Sequence, residues 1–250
     1  MYSSPKFASQ LWPLGSNFVR PRMRWLFAAI LAISGCPKHP IEVSTDVSTR
    51  DMSIAIEVKN EGGPTRVIAR ADGRLPYTSY LTLGAGDRFV LRGEHESDPT
   101  TAFTQDPNDE TKYIAETERK SGTFVVDLLR DADRAILDSE VSIPPPFDLT
   151  GPSGIVRRGD PIVLRWQGAT GTHTTGVVVA GTCTTGLNLP LHADTGEYVI
   201  NPGEIPRPNK GAADACDVTI SVVRTAPWES KPFLYSVASQ SRTLIVRLVP

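Results

Sequence analysis

The stretch Met52-Ser53-Ile54-Ala55-Ile56-Glu57-Val58-Lys59 decides the fold class. Met52, Ile54, Ile56 and Val58 fall on one side of an extended chain, and Ser53, Ala55, Glu57 and Lys59 on the other. Successive strand side chains point to opposite faces, so this pattern is that of a half-buried strand with one face on a core.

The alternation recurs along the chain. Phe124, Val126 and Leu128 share a face; Ile162, Leu164 and Trp166 alternate with Val163 and Arg165. Val218, Ile220 and Val222 alternate with Thr219 and Ser221, and Leu244, Val246 and Leu248 do so near the end. Turn residues separate the runs. Asn60-Glu61-Gly62-Gly63-Pro64 precedes a strand over 65–70, and Gly84-Ala85-Gly86-Asp87 precedes one over 88–92. Lys120-Ser121-Gly122 joins strands over 112–118 and 123–129, and Asp131-Ala132-Asp133 leads into 135–143. Such short connections predict antiparallel hairpins. No stretch of ten residues carries a helical stripe.

Composition agrees. Of 250 residues, 20 are Gly and 21 Pro, which disfavours long helices. The chain is 40% hydrophobic and 22% charged, enough for a packed core. Pro144-Pro145-Pro146 removes three backbone donors and stiffens the path, with strand patterning on both sides. It divides the body into two expected β domains, 41–143 and 147–250, with 144–146 as linker; the alternative is a proline-rich loop within one larger domain.

The first 35 residues differ from the body. Arg20-Pro21-Arg22-Met23-Arg24 is basic, Trp25 to Ile33 is an unbroken apolar run, and Ser34, Gly35 and Cys36 follow. Positive, apolar, small is the order of a secretory signal. A run this short cannot span a ~30 Å hydrocarbon core. Ile33-Ser34-Gly35-Cys36 resembles the lipobox of bacterial lipoproteins. That resemblance implies a signal peptide over 1–35, lipid (diacylglyceryl, then palmitate or a like acyl chain) on Cys36, and a tether over 36–40. Two or more acyl chains anchor stably where one does not. Met23 offers an alternative start. Pro37 in place of Asp implies, by resemblance to enterobacterial sorting, the outer membrane of the cell envelope.

Without residues 1–35 the chain keeps 22 bases against 28 acids, a net charge of −6. A body of that sign gains nothing from a phosphate backbone, so nucleic acid is not an expected partner. With Cys36 lipidated, Cys183 and Cys216 remain, an even pair in an oxidising compartment. A disulfide between them is the expected pairing, and two buried free thiols the alternative.

Gly151-Pro152-Ser153-Gly154, Arg158-Gly159-Asp160 and the strand ending in Trp166 resemble the opening of immunoglobulin-like modules in bacterial surface lipoproteins. The resemblance implies an all-β fold of two immunoglobulin-like antiparallel β-sandwich domains, with Trp166 in a core and no catalytic residues.

Motifs for chemistry are sparse. G-x-S-x-G and H-E-x-x-H are absent, and the four His (His39, His95, His173, His192) lack ligand spacing. Glu94-His95-Glu96 alternates across a strand and does not converge. The acidic segment 98–110 offers Asp106, Asn108 and Glu110 as oxygen ligands, but lacks the glycine and distal glutamate of a calcium loop. Arg-Gly-Asp at 158–160 fits a turn before a strand. No metal and no cofactor is expected. The expected function is a non-enzymatic, lipid-anchored envelope protein, binding or structural, with the membrane and an unidentified envelope protein or glycan as partners. The alternative is an envelope hydrolase acting on glycan or peptidoglycan, with carboxylates drawn from Glu94, Glu96, Asp98 and Asp106.

Overall fold

The computed structural model describes residues 41–73, 79–93, 98–167, 173–191, 193–207, 213–227, 229–231 and 234–250. All lie in one unit, His39–Pro250. The expected signal peptide, the tether and Cys36 lie outside the described residues, as do His39, Glu94, His95, Glu96 and His192.

The described chain is all-β, with two short 3-10 turns, Ser44–Asp46 and Thr49–Asp51. Its strands in the first half are β1 (Ile41–Val43), β2 (Met52–Asn60), β3 (Thr65–Gly73), β4 (Tyr80–Thr82), β5 (Arg88–Arg92), β6 (Thr101–Ala102), β7 (Thr104–Asp106), β8 (Asp109–Thr117), β9 (Gly122–Leu129) and β10 (Ile136–Ile143). In the second half they are β11 (Leu149–Thr150), β12 (Gly154–Arg157), β13 (Ile162–Trp166), β14 (Thr174–Gly181), β15 (Leu187–Leu191), β16 (Glu197–Ile200), β17 (Cys216–Thr225), β18 (Glu229–Lys231) and β19 (Leu234–Val249).

One long sheet runs β1-β4-β3-β2-β19-β17-β14-β15, with β12 and β18 on β19, β8 on β3 and β7 on β8. Two smaller sheets, β10-β9-β5-β6 and β11-β13-β16, complete the described architecture. The apolar face read from β2 packs with Val67 and Ala69 of β3 against Phe89, Leu91, Phe124, Val126 and Leu128 of the four-stranded sheet. A second core joins Val177, Val179, Val218, Ile220 and Val222 to Ile162, Leu164 and Trp166 of the three-stranded sheet. Each core is thus sheet on sheet, a sandwich in which alternate side chains of both layers interdigitate.

β19 is 16 residues long and serves both cores. Leu234 and Ala238 enter the first, Val246 and Leu248 the second. Its first part pairs in parallel with β2 and its later part antiparallel with β17. The triple-proline segment is tied to the body: buried Gln240 donates from Nε2 to the Pro144 carbonyl at 2.8 Å, and buried Arg224 donates from Nη1 to the Pro145 carbonyl at 2.8 Å.

Two of the four expected hairpins are instead corners between sheets. Residues 120–122 connect β8 of the long sheet to β9 of the four-stranded one, and residues 84–87 connect β4 to β5 in the same way. At residues 120–122 the reason is a pair of hydrogen bonds from distant parts of the chain. The Arg119 and Lys120 carbonyls accept from Thr65 Oγ1 (2.6 Å) and Gln240 Nε2 (2.7 Å), so side chains take the place of a partner strand. Gly122 makes the bend at φ 93°, open to glycine without penalty. The turns after β2 and after β9 do form hairpins.

Candidate functional site

Arg130 directly follows β9, where its side chain is buried to 1% exposure beside an equally buried Asp87. Its Nε donates to Asp87 Oδ2 at 3.1 Å, its Nη1 to Thr49 Oγ1 at 2.7 Å, and its Nη2 to the Ser44 carbonyl. Ser44 Oγ in turn donates to Asp87 Oδ2 at 2.7 Å. A buried charge is tolerated only when paired and hydrogen-bonded, and here one guanidinium pins both 3-10 turns to the sandwich. Asp133 finishes the attachment by accepting from the Thr49 amide at 2.7 Å and the Arg134 amide at 2.7 Å. These backbone donors, the Thr49 amide first, lower its pKa to about 2.

The adjoining β10 carries a bulge. Ile136 opposes Leu128, but the next pair is Ser139 with Val126, so β10 holds one residue more than its partner. Asp138 sits in that bulge at φ 59°, a left-handed conformation for which Asp is better suited than most residues. Buried Asp127 dictates it. Asp127 Oδ1 accepts from the Asp138 amide at 2.8 Å, and Arg92 donates to Asp127 (2.6 and 3.1 Å) and to Asp138 (2.7 Å).

Between the pinned turns and the bulge lies a groove of about 500 Å³, lined by Ser48, Thr49 and Arg50 on one side and by 133–139 with Leu234 on the other. That volume is within the ~300–1,000 Å³ of ligand clefts. Ile136 and Leu234 give it an apolar lining, and Leu137, beside the bulge, is 55% exposed at its wall. The sequence pattern concealed this site, because 131–137 reads as a turn entering a strand and Arg130 as a charge at a strand end.

The candidates read from the sequence are not gathered at the groove. Cys183 and Cys216 are joined as a disulfide in the second core, with Cα atoms 5.6 Å apart. Trp166 is buried there, and its indole Nε1 donates to Asp194 Oδ1 at 2.6 Å. Arg224 donates to the other oxygen of Asp194 at 2.6 Å and lies over the Phe147 ring at 4.5 Å. In the acidic segment, Asp106 accepts from the Asn108 amide at 2.9 Å and shapes the β7–β8 turn. Asp109 is held at a pKa of about 2, first by Lys112 and then by Thr111. Among the described residues no group of three or more His, Cys, Asp and Glu could hold a metal ion. Asp98 and Asp106 are partly buried, while Glu94 and Glu96 lie outside the described residues. Where described carboxylates meet they do so across an arginine: Asp127 and Asp138 across Arg92, which donates to both, and Asp87 and Asp133 across Arg130. Among the described residues no helix is long and apolar enough to cross a membrane.

No family model matches the chain, and no curated protein matches it. Among solved structures it is similar to murine CEACAM1b, at 11% identity over 79% of this chain and 100% of that one, TM-score 0.24. It is similar to the Escherichia coli adhesin FdeC at 17% identity, covering 78% of this chain and 65% of that one, TM-score 0.26. The human OSCAR ligand-binding domain shares 15% identity over 83% of this chain and 98% of that one, TM-score 0.25. At these TM-scores the likeness transfers neither a partner nor an activity.

Proposed function

We propose that the chain is an exported, non-enzymatic envelope protein, anchored by lipid on Cys36, whose β-sandwich body binds a partner or serves a structural role at the membrane. The Cys183–Cys216 disulfide carries the reading. Disulfides persist in oxidising compartments and are rare in the cytosol, so a stapled core favours export. The basic, apolar and small succession ending at Cys36 supplies a route and an anchor. Pro37 favours the outer membrane by the same resemblance. A non-enzymatic role is supported by the engagement of the buried carboxylates in structure: Asp87 with Arg130, Asp127 with Arg92, Asp194 with Arg224.

Labelling cells with radioactive palmitate tests the anchor. Label is expected on the wild type and lost in Cys36→Ala, and globomycin is expected to accumulate the unprocessed precursor. An unlabelled wild type in the cytosolic fraction overturns the proposal. Mass spectrometry without reductant is expected to show no alkylatable thiol at Cys183 or Cys216.

A further inference from the structure

We infer that the outer face of the long sheet, at the end where β1, β4 and β19 begin, rests in the headgroup region of the bilayer that holds Cys36. This rests on the lipid-anchor reading and adds to it a second, non-covalent membrane contact made by the body itself.

Clustering comes first. Among the described residues eight large hydrophobic side chains are exposed, and five of them are Ile41, Val43, Tyr80, Tyr235 and Val237. β1 pairs in parallel with β4, and the opening of β19 in parallel with β2. Because β3 is antiparallel to both β4 and β2, these four strands all start at one end of the sheet. Leu81, Ala71, Ile54, Ile56 and Leu234 fill the first core. Alternation therefore turns Tyr80, Arg70, Ala55 and Tyr235 to the opposite face, and register sets Ile41 beside Tyr80 on that face. From β1 to β19 there are four interstrand steps of ~4.8 Å, so the patch is ~19 Å across.

Charge comes second. Between the five side chains lie Ser53, Ala55 and Glu57 of β2 and Arg70 and Asp72 of β3. Arg70 pairs with Asp72 at 3.9 Å and lies over the Tyr80 ring at 4.9 Å, and Lys59 pairs with Glu57 at 2.8 Å. Glu42 projects to the other side of β1. The patch is thus apolar and aromatic with no net charge. Tyrosine suits a membrane interface because its ring is apolar and its hydroxyl stays wet.

Reach comes third, and it names the occupant. Exposed apolar patches serve proteins or membranes. Cys36 and Ile41 are five residues apart. A fully extended chain spans at most ~3.6 Å per residue, so an acylated Cys36 keeps Ile41 within ~18 Å of the membrane surface. A protein partner has to be recruited, whereas the anchor holds the bilayer against this end at high effective concentration. Ile155 and Ile245 are exposed on the same face, but Ser239, Ser241 and Thr243 separate Ile245 from Val237 by ~26 Å of strand. They lie beyond the patch and mark the water-facing end.

Depth measurements on the full, acylated chain in phosphatidylcholine nanodiscs test the inference. Lipid occupies Cys36, and Cys183 and Cys216 occupy each other, so Val43→Cys, Val237→Cys and Ile245→Cys each take one nitroxide label. The ratio of oxygen to nickel-chelate collisions is expected to be several-fold higher at 43 and 237 than at 245. In the unmodified protein, a phosphatidylcholine carrying a diazirine beside its headgroup is expected to crosslink to 41–43, 80–82 and 235–237. That arm is independent of any variant's folding, and 235–237 decides it, because the tether alone brings only β1 near lipid. Tyr80→Asp combined with Tyr235→Asp is expected to lower the yield at 235–237 several-fold while Cys36 keeps its palmitate. Equal collision ratios at all three labels, crosslinks confined to 41–43, or a requirement for anionic lipid overturns the inference. Shielding of labels 43 and 237 from oxygen and nickel alike overturns it too, and assigns the face to a second copy or another protein. Palmitate on Cys36 with both labels in water would remove the patch's role and leave the anchored protein intact; a wild type without palmitate would remove the anchor as well.

Discussion

Single residues settle the geometry of the groove. Arg130 joins β9 to both 3-10 turns through Asp87, Thr49 and Ser44, all in one buried knot. Removing one member of a buried ion pair leaves the other charge uncompensated, at a cost of ~3–5 kcal/mol. Arg130→Met is therefore expected to lower unfolding free energy by that amount in urea titrations; a loss under ~1 kcal/mol would show that the knot is solvated instead. Asp127 does a similar task for the bulge. Asp127→Ala strands Arg92 and the Asp138 amide, so a loss of ~1–3 kcal/mol is expected in the same urea titrations. Neither residue stood out in the sequence, where each is an ordinary charge in or beside a strand.

At the scale of elements, the two 3-10 turns form a wall only because another segment holds them. Asp133 supplies that hold and has a pKa of about 2, below the ordinary aspartate value near 3.9. A carboxyl depressed in the fold stabilises it above the unfolded pKa and loses that contribution as pH falls through the folded one. The wall is thus expected to stay attached down to about pH 4 and to loosen as pH falls through about 2. By NMR, the Thr49 amide resonance should titrate with a midpoint near 2, and Asp133→Asn should abolish the titration. A midpoint near 3.9 refutes the assignment. Period-two patterning located the strands themselves: β2 and β5 begin where the alternation begins, and β13 matches from Ile162 to Trp166. Turn chemistry was less informative, because a glycine-containing turn serves equally for a hairpin and for a corner between sheets. The carbonyl partners Thr65 and Gln240, 54 and 120 residues from their acceptors, decide between the two.

For the molecule as a whole, β19 is the central fact. It supplies side chains to both cores and carbonyl partners around the triple proline through Gln240. Unfolding one core frees a strand that the other needs, so a single calorimetric transition is expected. Two well-separated transitions would show that the halves fold independently. The disulfide lies in the second core and spans 33 residues, and its reduction is expected to cost ~3–4 kcal/mol in the chain-entropy account. With shared strands, that loss lowers the one transition and not a part of it.

Local pattern determined the all-β class, the positions of most strands, the punctuation at Pro144-Pro145-Pro146 and the pairing expected of Cys183 with Cys216, because alternation and turn chemistry are properties of neighbouring residues. Only tertiary structure decided that two apparent hairpins are corners, that the last strand is parallel to β2 and divided between two cores, and that Arg130, Asp127 and Asp138 shape a groove. Those outcomes depend on hydrogen bonds and ion pairs between residues tens to more than a hundred positions apart, and no short-range periodicity records which distant donor will meet which acceptor.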